Sequence, residues 1–112
     1  QTLTGFSVIV VKPAIVDPND LLPYSVQQGY RVVFTSYLDH PIGQLHAAWQ
    51  AARALEKYGT AIEIAGLLSQ TAYEETAWSN AIITSTGDLK ISSEPGIGFG
   101  HTLENEQWKR LY

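Results

Sequence analysis

The sequence predicts an α/β fold in which short parallel strands are followed by helices. Three observations predict it. Residues 6–11 form an almost continuous apolar, β-branched run, which is typical of a strand covered on both faces, as in a parallel sheet. Residues 31–36 form a second run of this kind. A long segment with helical periodicity then follows, and the order strand, connection, strand, helix favours a parallel sheet flanked by helices.

The first half of the chain predicts two strands with a helix between them. The first strand covers residues 5–12 and ends there because Pro13 cannot donate to a ladder. Asp17 is expected to cap a helix that begins at Pro18, and Pro23 is expected to make this helix short or irregular before it ends at Gly29. The second strand is predicted over residues 30–36.

Residues 42–58 predict the most regular element, an amphipathic helix. Apolar side chains recur at spacings of three and four residues and should form one buried stripe. This stripe consists of Leu45, Ala48, Trp49, Ala52, Leu55 and Tyr58. Gly59 is a natural residue to end the helix.

The remainder of the chain predicts shorter elements. A third strand is expected over residues 61–65, followed by Gly66. Residues 78–84 and 89–92 resemble a hairpin joined through residues 85–88. The glycines of residues 96–100 lack the third glycine of a dinucleotide-binding fingerprint and predict a structural loop. Residues 103–112 are expected to close the chain as a short helix.

Composition excludes several classes of protein. A chain of 112 residues, 45% hydrophobic and 16% charged, suits one small folded unit. The net charge of −4 without a basic stripe argues against nucleic-acid binding. The absence of cysteine excludes disulfides, thiolate metal sites and a cysteine nucleophile. No apolar run approaches the roughly 20 residues that span a bilayer, and no secretion signal opens the chain, so a cytoplasmic protein without membrane contact is expected.

Polar residues follow the predicted strands. Lys12 stands at the carboxyl end of the first strand, the edge where parallel α/β folds place their chemistry. Partial desolvation at such an edge is one way that proteins make a lysine amine available for proton transfer. Thr35 and Ser36 end the second strand, where they either satisfy backbone groups or contact a ligand. Asp39 either caps the following helix or takes part in the site.

Three ordered segments resemble the o-succinylbenzoate synthase family of the enolase superfamily. They are Val10-Val11-Lys12-Pro13-Ala14, then residues 34–43 (FTSYLDHPIG), then Ile64-Ala65-Gly66-Leu67. The glycine-rich residues 96–100 also look like the return segment that such enzymes carry near their end. The resemblance covers most of the chain, in the order in which the family has these segments.

The resemblance implies an incomplete fold. The three strands look like the sixth to eighth strands of a modified TIM (β/α) barrel, so the chain would be the carboxyl-terminal portion of that barrel. Residues 1–76 would belong to the barrel, and residues 77–112 would form a return segment that packs toward a capping domain. The sequence begins at Gln1 and contains no methionine, which also predicts a piece of a longer enzyme.

The resemblance also implies a reaction and a site. The family dehydrates a cyclohexadiene carboxylate to 2-succinylbenzoate in menaquinone biosynthesis, and magnesium stabilises the enediolate. Lys12 matches the catalytic lysine of the sixth strand. The expected substrate contacts are Thr35, Ser36, Asp39, Gly66 and Leu67. Asp39 stands where the family more often has glutamate, and Leu68 where many members have a small or polar residue.

The family's metal-binding carboxylates and second catalytic lysine lie on earlier strands that this chain does not contain. No metal ligand is therefore expected here, and the chain by itself should be inactive. Its expected partners are a small-molecule substrate and either the missing amino-terminal part of the enzyme or a second copy of itself. Two alternatives remain open: a related muconate cycloisomerase or dipeptide epimerase, and a small acidic α+β binding or inhibitor protein without catalysis.

Overall fold

Strands and helices alternate along the first half of the chain, and short helices follow in the second. The computed structural model describes residues 5, 7–37, 40–69, 74–82 and 86–110. Its elements, in chain order, are strand β1 (Val8–Val11), helix α1 (Pro18–Gln27), strand β2 (Arg31–Phe34), helix α2 (Pro41–Tyr58), a 3₁₀ turn (Gly59–Ala61), helix α3 (Ala77–Asn80) and helix α4 (Gly100–Glu104). The α/β class predicted from the sequence agrees with this order.

The two strands are parallel, as the sequence predicts. Val8 lies opposite Arg31 and Val11 lies opposite Phe34. The Thr35 N–H donates to the carbonyl of Val11 at 2.9 Å, which carries the ladder one step beyond β2. Both strands are shorter than predicted. Strand β1 ends before Pro13 and strand β2 ends before Ser36.

The predicted third strand is present only as two isolated parallel bridges to the β2 side. These bridges join Val32 to Ile62 and Thr35 to Gly66. Three steps along β2 therefore correspond to four steps along residues 62–66, so the segment bulges and the ladder is interrupted. Ile64 lies within the bulge and is 94% exposed.

One face of the sheet is open, which corrects the expectation that β1 is covered on both faces. Val11 is fully buried against the helices, but Val8 and Val10 on the opposite face are 43% and 55% exposed. Val33, the partner of Val10 in the ladder, lies on the same face and is half-buried. We call Val8, Val10 and Val33 the open sheet face. A run of β-branched residues predicts a strand, but it does not predict which faces of the strand are covered.

Helix α1 begins as predicted and continues through Pro23. The Asp17 carboxylate accepts a hydrogen bond from the Asn19 N–H at 2.9 Å, and Pro18 occupies the first turn. Of the two expected outcomes, a short helix and an irregular one, the structure has the short helix, 10 residues long and continuous at Pro23. The carbonyl that loses its partner there belongs to the exposed Asn19, where water can replace the missing N–H. Gly29, with φ of 79°, follows the end of the helix.

Helix α2 has the predicted length but buries a different stripe. The buried residues are Pro41, Gln44, Leu45, Ala47, Ala51 and Ala54. Of the predicted stripe, Trp49 is 48% exposed and Leu55 is 54% exposed. The helix packs against the sheet through small side chains because these allow a close approach, whereas the sequence pattern gave more weight to the large ones. Gly59 ends the helix, as predicted, with φ of 55°.

Two apolar clusters share α2. The first lies between the sheet and the helices and contains Val11, Leu22, Val32, Phe34, Ala51, Ala54 and Ile62. The second joins the start of α2 to the last third of the chain and contains Leu45, Trp78, Ile82 and Phe99. Trp78 also donates its indole N–H to the Glu106 carboxylate at 2.9 Å, which anchors the tail.

The predicted hairpin and terminal helix are both wrong in detail. Residues 77–80 form α3, because the Thr76 and Ser79 side chains each bond the other's backbone in a capping box. The two predicted arms do meet, since the Lys90 N–H donates to the Ile82 carbonyl at 2.7 Å. Residues 83–85, where the predicted arm and its turn meet, lie outside the described residues.

The terminal helix begins earlier than predicted, at Gly100, and ends at Glu104. The His101 carbonyl accepts two hydrogen bonds from Asn105, one from its backbone N–H at 3.3 Å and one from its side-chain amide at 2.8 Å. Residues 106–110 have no regular secondary structure. None of the helices within the described ranges is both long and apolar enough to cross a membrane.

Candidate functional site

The strand ends predicted to carry chemistry meet at one edge of the sheet. The parallel register pairs Val11 with Phe34, so Lys12 and Thr35, the residues that follow, leave the sheet side by side. The bridge between Thr35 and Gly66 adds the third segment to the same edge. We call this the carboxyl edge.

Lys12 is half-buried at the carboxyl edge and faces an aromatic ring. Its ammonium lies 5.2 Å from the centre of the Tyr37 ring, within the range of a cation–π interaction. The Lys12 carbonyl accepts hydrogen bonds from the N–H groups of Ile15 at 2.9 Å and Val16 at 3.1 Å. This turn fixes the backbone after Pro13, so the lysine projects from an anchored position.

A chain of polar contacts joins Ser36 to the interior. The Ser36 and Ser69 hydroxyl oxygens are 3.3 Å apart. The Ser69 N–H donates to the side-chain oxygen of Gln44 at 3.3 Å, and Gln44 is fully buried in the first turn of α2. Sequence reasoning missed Tyr37, Gln44 and Ser69 as members of this edge.

One signal for Gln44 was present in the sequence, since it is a polar residue with the spacing of Ala47, Ala51 and Ala54. The larger apolar side chains of α2 hide this signal, because their spacing predicts a different buried stripe. The positions of Tyr37 and Ser69 depend on contacts between separate segments.

Thr35 contributes a hydroxyl that lacks a partner. Its oxygen is buried and makes no hydrogen bond to any described residue. A buried hydroxyl without a partner costs roughly 1–3 kcal/mol, so a group from outside the described residues is expected to reach it.

Gly66 and Leu67 lie beside open space. The Gly66 N–H donates to the Phe34 carbonyl at 3.0 Å, and a side chain at Gly66 would meet no described atom within 4 Å. Both residues line an open cleft of about 330 Å³ whose other walls are Ala65, Leu68, Gly87, Asp88 and Leu89. The glycine therefore leaves its backbone accessible to a ligand or another segment.

Asp39 lies outside the described residues. The cap of α2 is His40, whose ring nitrogen Nδ1 accepts from the Ile42 N–H at 3.3 Å. The proposed capping role of Asp39 is thus taken by its neighbour, because Pro41 occupies the first helical position and sets His40 in an extended conformation.

The described residues do not fit a magnesium ion. Magnesium prefers carboxylate oxygens in octahedral geometry. Within the described ranges, no three His, Cys, Asp or Glu residues are grouped so that they could hold a metal ion. Glu63, whose N–H donates to the Val32 carbonyl of β2, forms an ion pair with Arg31.

Comparison with known proteins agrees with the sequence resemblance. No protein-family model matches the chain. An o-succinylbenzoate synthase from Bdellovibrio bacteriovorus is 32% identical over 106 residues, which cover 95% of this chain. The predicted resemblance to o-succinylbenzoate synthase is confirmed. The chain spans 32% of the length of that synthase, so it matches one part of a longer enzyme.

Proposed function

We propose that this chain is the carboxyl-terminal part of a magnesium-dependent o-succinylbenzoate synthase, a lyase that dehydrates a cyclohexadiene carboxylate. In this proposal the chain supplies the sixth to eighth strands of the barrel and the return segment after them. One observation carries it: Lys12, Ser36 and Gly66, which match the family's strand ends, leave the sheet at the same edge. The synthase similar to this chain supports the reaction class.

In the proposed site, Lys12 supplies positive charge to the reacting end of the substrate. Proton abstraction next to a carboxylate creates an enediolate, and an ammonium placed beside it stabilises the developing charge. The Tyr37 ring lies against the same ammonium and limits its movement. Lys12 acts either through this charge or by exchanging a proton, and these roles are separable by experiment.

Ser36 and Thr35 are the proposed hydrogen-bonding groups for substrate oxygens. The Ser36 hydroxyl is held by Ser69, and the Thr35 hydroxyl lacks a partner among the described residues. Gly66 leaves its backbone open, and Leu67 offers an apolar wall in the adjacent cleft. Asp39 completes the proposed substrate contacts.

The metal requirement makes this chain dependent on another segment. The described residues form no magnesium site, and in this proposal the ligands lie on the part of the enzyme that this chain does not cover. The isolated chain is therefore expected to be inactive.

Reconstitution tests this function. The chain is co-expressed with the part of the Bdellovibrio synthase that it does not cover, and dehydration of the cyclohexadiene carboxylate is followed with and without magnesium. We expect magnesium-dependent product from the complex and none from either piece. A stable complex that leaves the substrate unchanged contradicts the proposal.

The same complex separates the alternatives. Turnover of a muconate or a dipeptide substrate without dehydration would favour the cycloisomerase or the epimerase. A monomeric chain that unfolds cooperatively and does not bind the other segment would favour a small acidic binding protein.

A further inference from the structure

A buried amide lies behind the carboxyl edge. Gln44 is 0% exposed, on a face of α2 that otherwise buries proline, leucine and alanine. Burying an amide costs free energy unless its polar atoms are hydrogen-bonded, and an apolar side chain would fill the same space without that cost. The hydrogen bonds of Gln44 therefore need an explanation beyond packing.

The amide bonds a segment that is distant in sequence. Its oxygen accepts from the Ser69 N–H at 3.3 Å, and this contact fixes the backbone just beyond Gly66. The Ser69 hydroxyl lies 3.3 Å from the Ser36 hydroxyl, and Ser36 is half-buried at the end of β2. Gln44, Ser69 and Ser36 thus form one series of contacts from the interior to the carboxyl edge.

We propose that Gln44 is a positioning residue that orients the Ser36 hydroxyl through Ser69. This inference rests on the proposed function, in which Ser36 contacts the substrate. When the Ser69 hydroxyl donates to Ser36, the proton of Ser36 is left for an oxygen of the substrate. The Ser69 hydroxyl can occupy that place only while its backbone is held by Gln44. In the proposed function that oxygen belongs to the substrate carboxylate or to the enediolate, which accepts a charge-assisted hydrogen bond.

Two substitutions interrupt this series at different points. Gln44→Leu removes the acceptor of the Ser69 N–H, and Ser69→Ala removes the hydroxyl that contacts Ser36 but keeps the N–H. In the reconstituted enzyme, each is expected to raise KM about 5- to 10-fold, the loss of about one hydrogen bond. Gln50→Leu on the same helix is the matched control and should leave KM unchanged.

A double variant separates positioning from a general loss of structure. If Gln44 acts through Ser36, Gln44→Leu adds no further rise in KM to Ser36→Ala. The proposal is overturned if the rises in KM of the two single variants multiply in the double variant. An unchanged KM in Gln44→Leu overturns it as well.

Hydrogen exchange tests the hydrogen bond between the Ser69 N–H and Gln44 without an activity measurement. In the 112-residue chain, amide exchange at Ser69 should become about 10-fold faster in Gln44→Leu and stay the same in Gln50→Leu. Faster exchange with an unchanged KM means that Gln44 only supports the segment, which overturns the positioning role. An unprotected Ser69 amide in the unsubstituted chain overturns it as well. An inactive reconstituted complex whose Ser69 protection depends on Gln44 counts against the proposed function and supports the contact.

Discussion

The Lys12 ammonium lies 5.2 Å from the centre of the Tyr37 ring, so two residues that follow different strands meet above the carboxyl edge. This contact depends on the parallel register of β1 and β2, which brings the two strand ends together. A ring face attracts a cation and restricts a flexible side chain without accepting a proton from it. The lysine side chain is thereby held in place above the carboxyl edge.

Substitution of Tyr37 tests whether the ring positions Lys12. Tyr37→Phe keeps the ring and should change kcat/KM of the reconstituted enzyme little. Tyr37→Leu removes the ring and should lower kcat/KM about 2- to 5-fold, in line with a cation–π contribution of about 0.5–1 kcal/mol. If Tyr37→Phe lowers kcat/KM as much as Tyr37→Leu does, the tyrosine hydroxyl rather than the ring face positions the lysine.

Substitution of Lys12 itself tests its role in the reaction. Lys12→Ala should lower kcat at least about 100-fold, the usual scale for a group that transfers a proton or stabilises charge in the transition state. Lys12→Arg keeps the charge but cannot readily give up a proton. Residual activity in the arginine variant indicates an electrostatic role, and its loss indicates proton transfer.

Lys57 provides a matched control for this experiment. Its ammonium also lies 5.2 Å from a tyrosine ring, that of Tyr58, at the far end of α2. Lys57→Ala removes a similar contact away from the carboxyl edge and should leave kcat unchanged. Full activity in Lys12→Ala would show that Lys12 lies outside the site.

The buried face of α2 predicts unequal losses of stability on substitution at two alanines. Ala54 is 4% exposed within the main cluster, whereas Ala52 is exposed. Ala54→Leu should lower the free energy of unfolding by about 1–3 kcal/mol, because a close-packed interface cannot take the added carbons. Ala52→Leu should change it by less than about 0.5 kcal/mol. Urea unfolding measures both, and equal effects would mean that the helix faces the other way.

Two glycines of the 96–100 loop predict unequal costs of substitution. Both have positive φ, 70° at Gly96 and 81° at Gly98, so alanine is strained at either position. A Cβ at Gly96 meets open space, whereas one at Gly98 would clash with the Cβ of Ser92. We expect about 1 kcal/mol of destabilisation from Gly96→Ala and at least about 2 kcal/mol from Gly98→Ala.

Removing the Ser92 side chain checks the cause of that difference. In a Ser92→Gly background, Gly98→Ala should cost about as much as Gly96→Ala does in the original chain. Thermal unfolding of the four variants provides the comparison. An undiminished cost would place the strain in the backbone alone.

Local signals predicted the elements that local chemistry controls. Asp17 and Pro18 start α1, Pro13 follows β1, and Gly59 ends α2, because caps, proline and glycine act within a few residues of themselves. The same reasoning predicts Lys12, Ser36 and Gly66 as candidate site residues, since each stands at or just after the end of a predicted strand.

Tertiary contacts determine which face of α2 is buried and which residues meet at the carboxyl edge, and the sequence pattern does not predict either. The sheet contacts the alanine face of α2, and part of the larger apolar face lines a cavity of about 140 Å³ beside residues 91–97. That cavity is bounded by Leu45, Ala48, Trp49, Ala52, Ile91, Ser92, Gly96 and Ile97. Gln44, Ser69 and Tyr37 reach the carboxyl edge through contacts between segments that are distant in sequence. The spacing of apolar residues along the chain does not predict such contacts.

The open sheet face should control association of the chain. Val10 is 55% exposed on a parallel strand, and such an apolar face and edge favour pairing with another segment. We therefore expect the isolated chain to self-associate. The part of the proposed enzyme that this chain does not span should compete for the same face.

The substitution Val10→Lys tests this surface. It should lower the self-associated fraction and also prevent reconstitution, because a charge on the face is costly to bury. Leu55→Lys is the control, since Leu55 is 54% exposed but lies on α2. Light scattering on a size-exclusion column measures both variants, and equal effects would place the association surface on the helix as much as on the sheet.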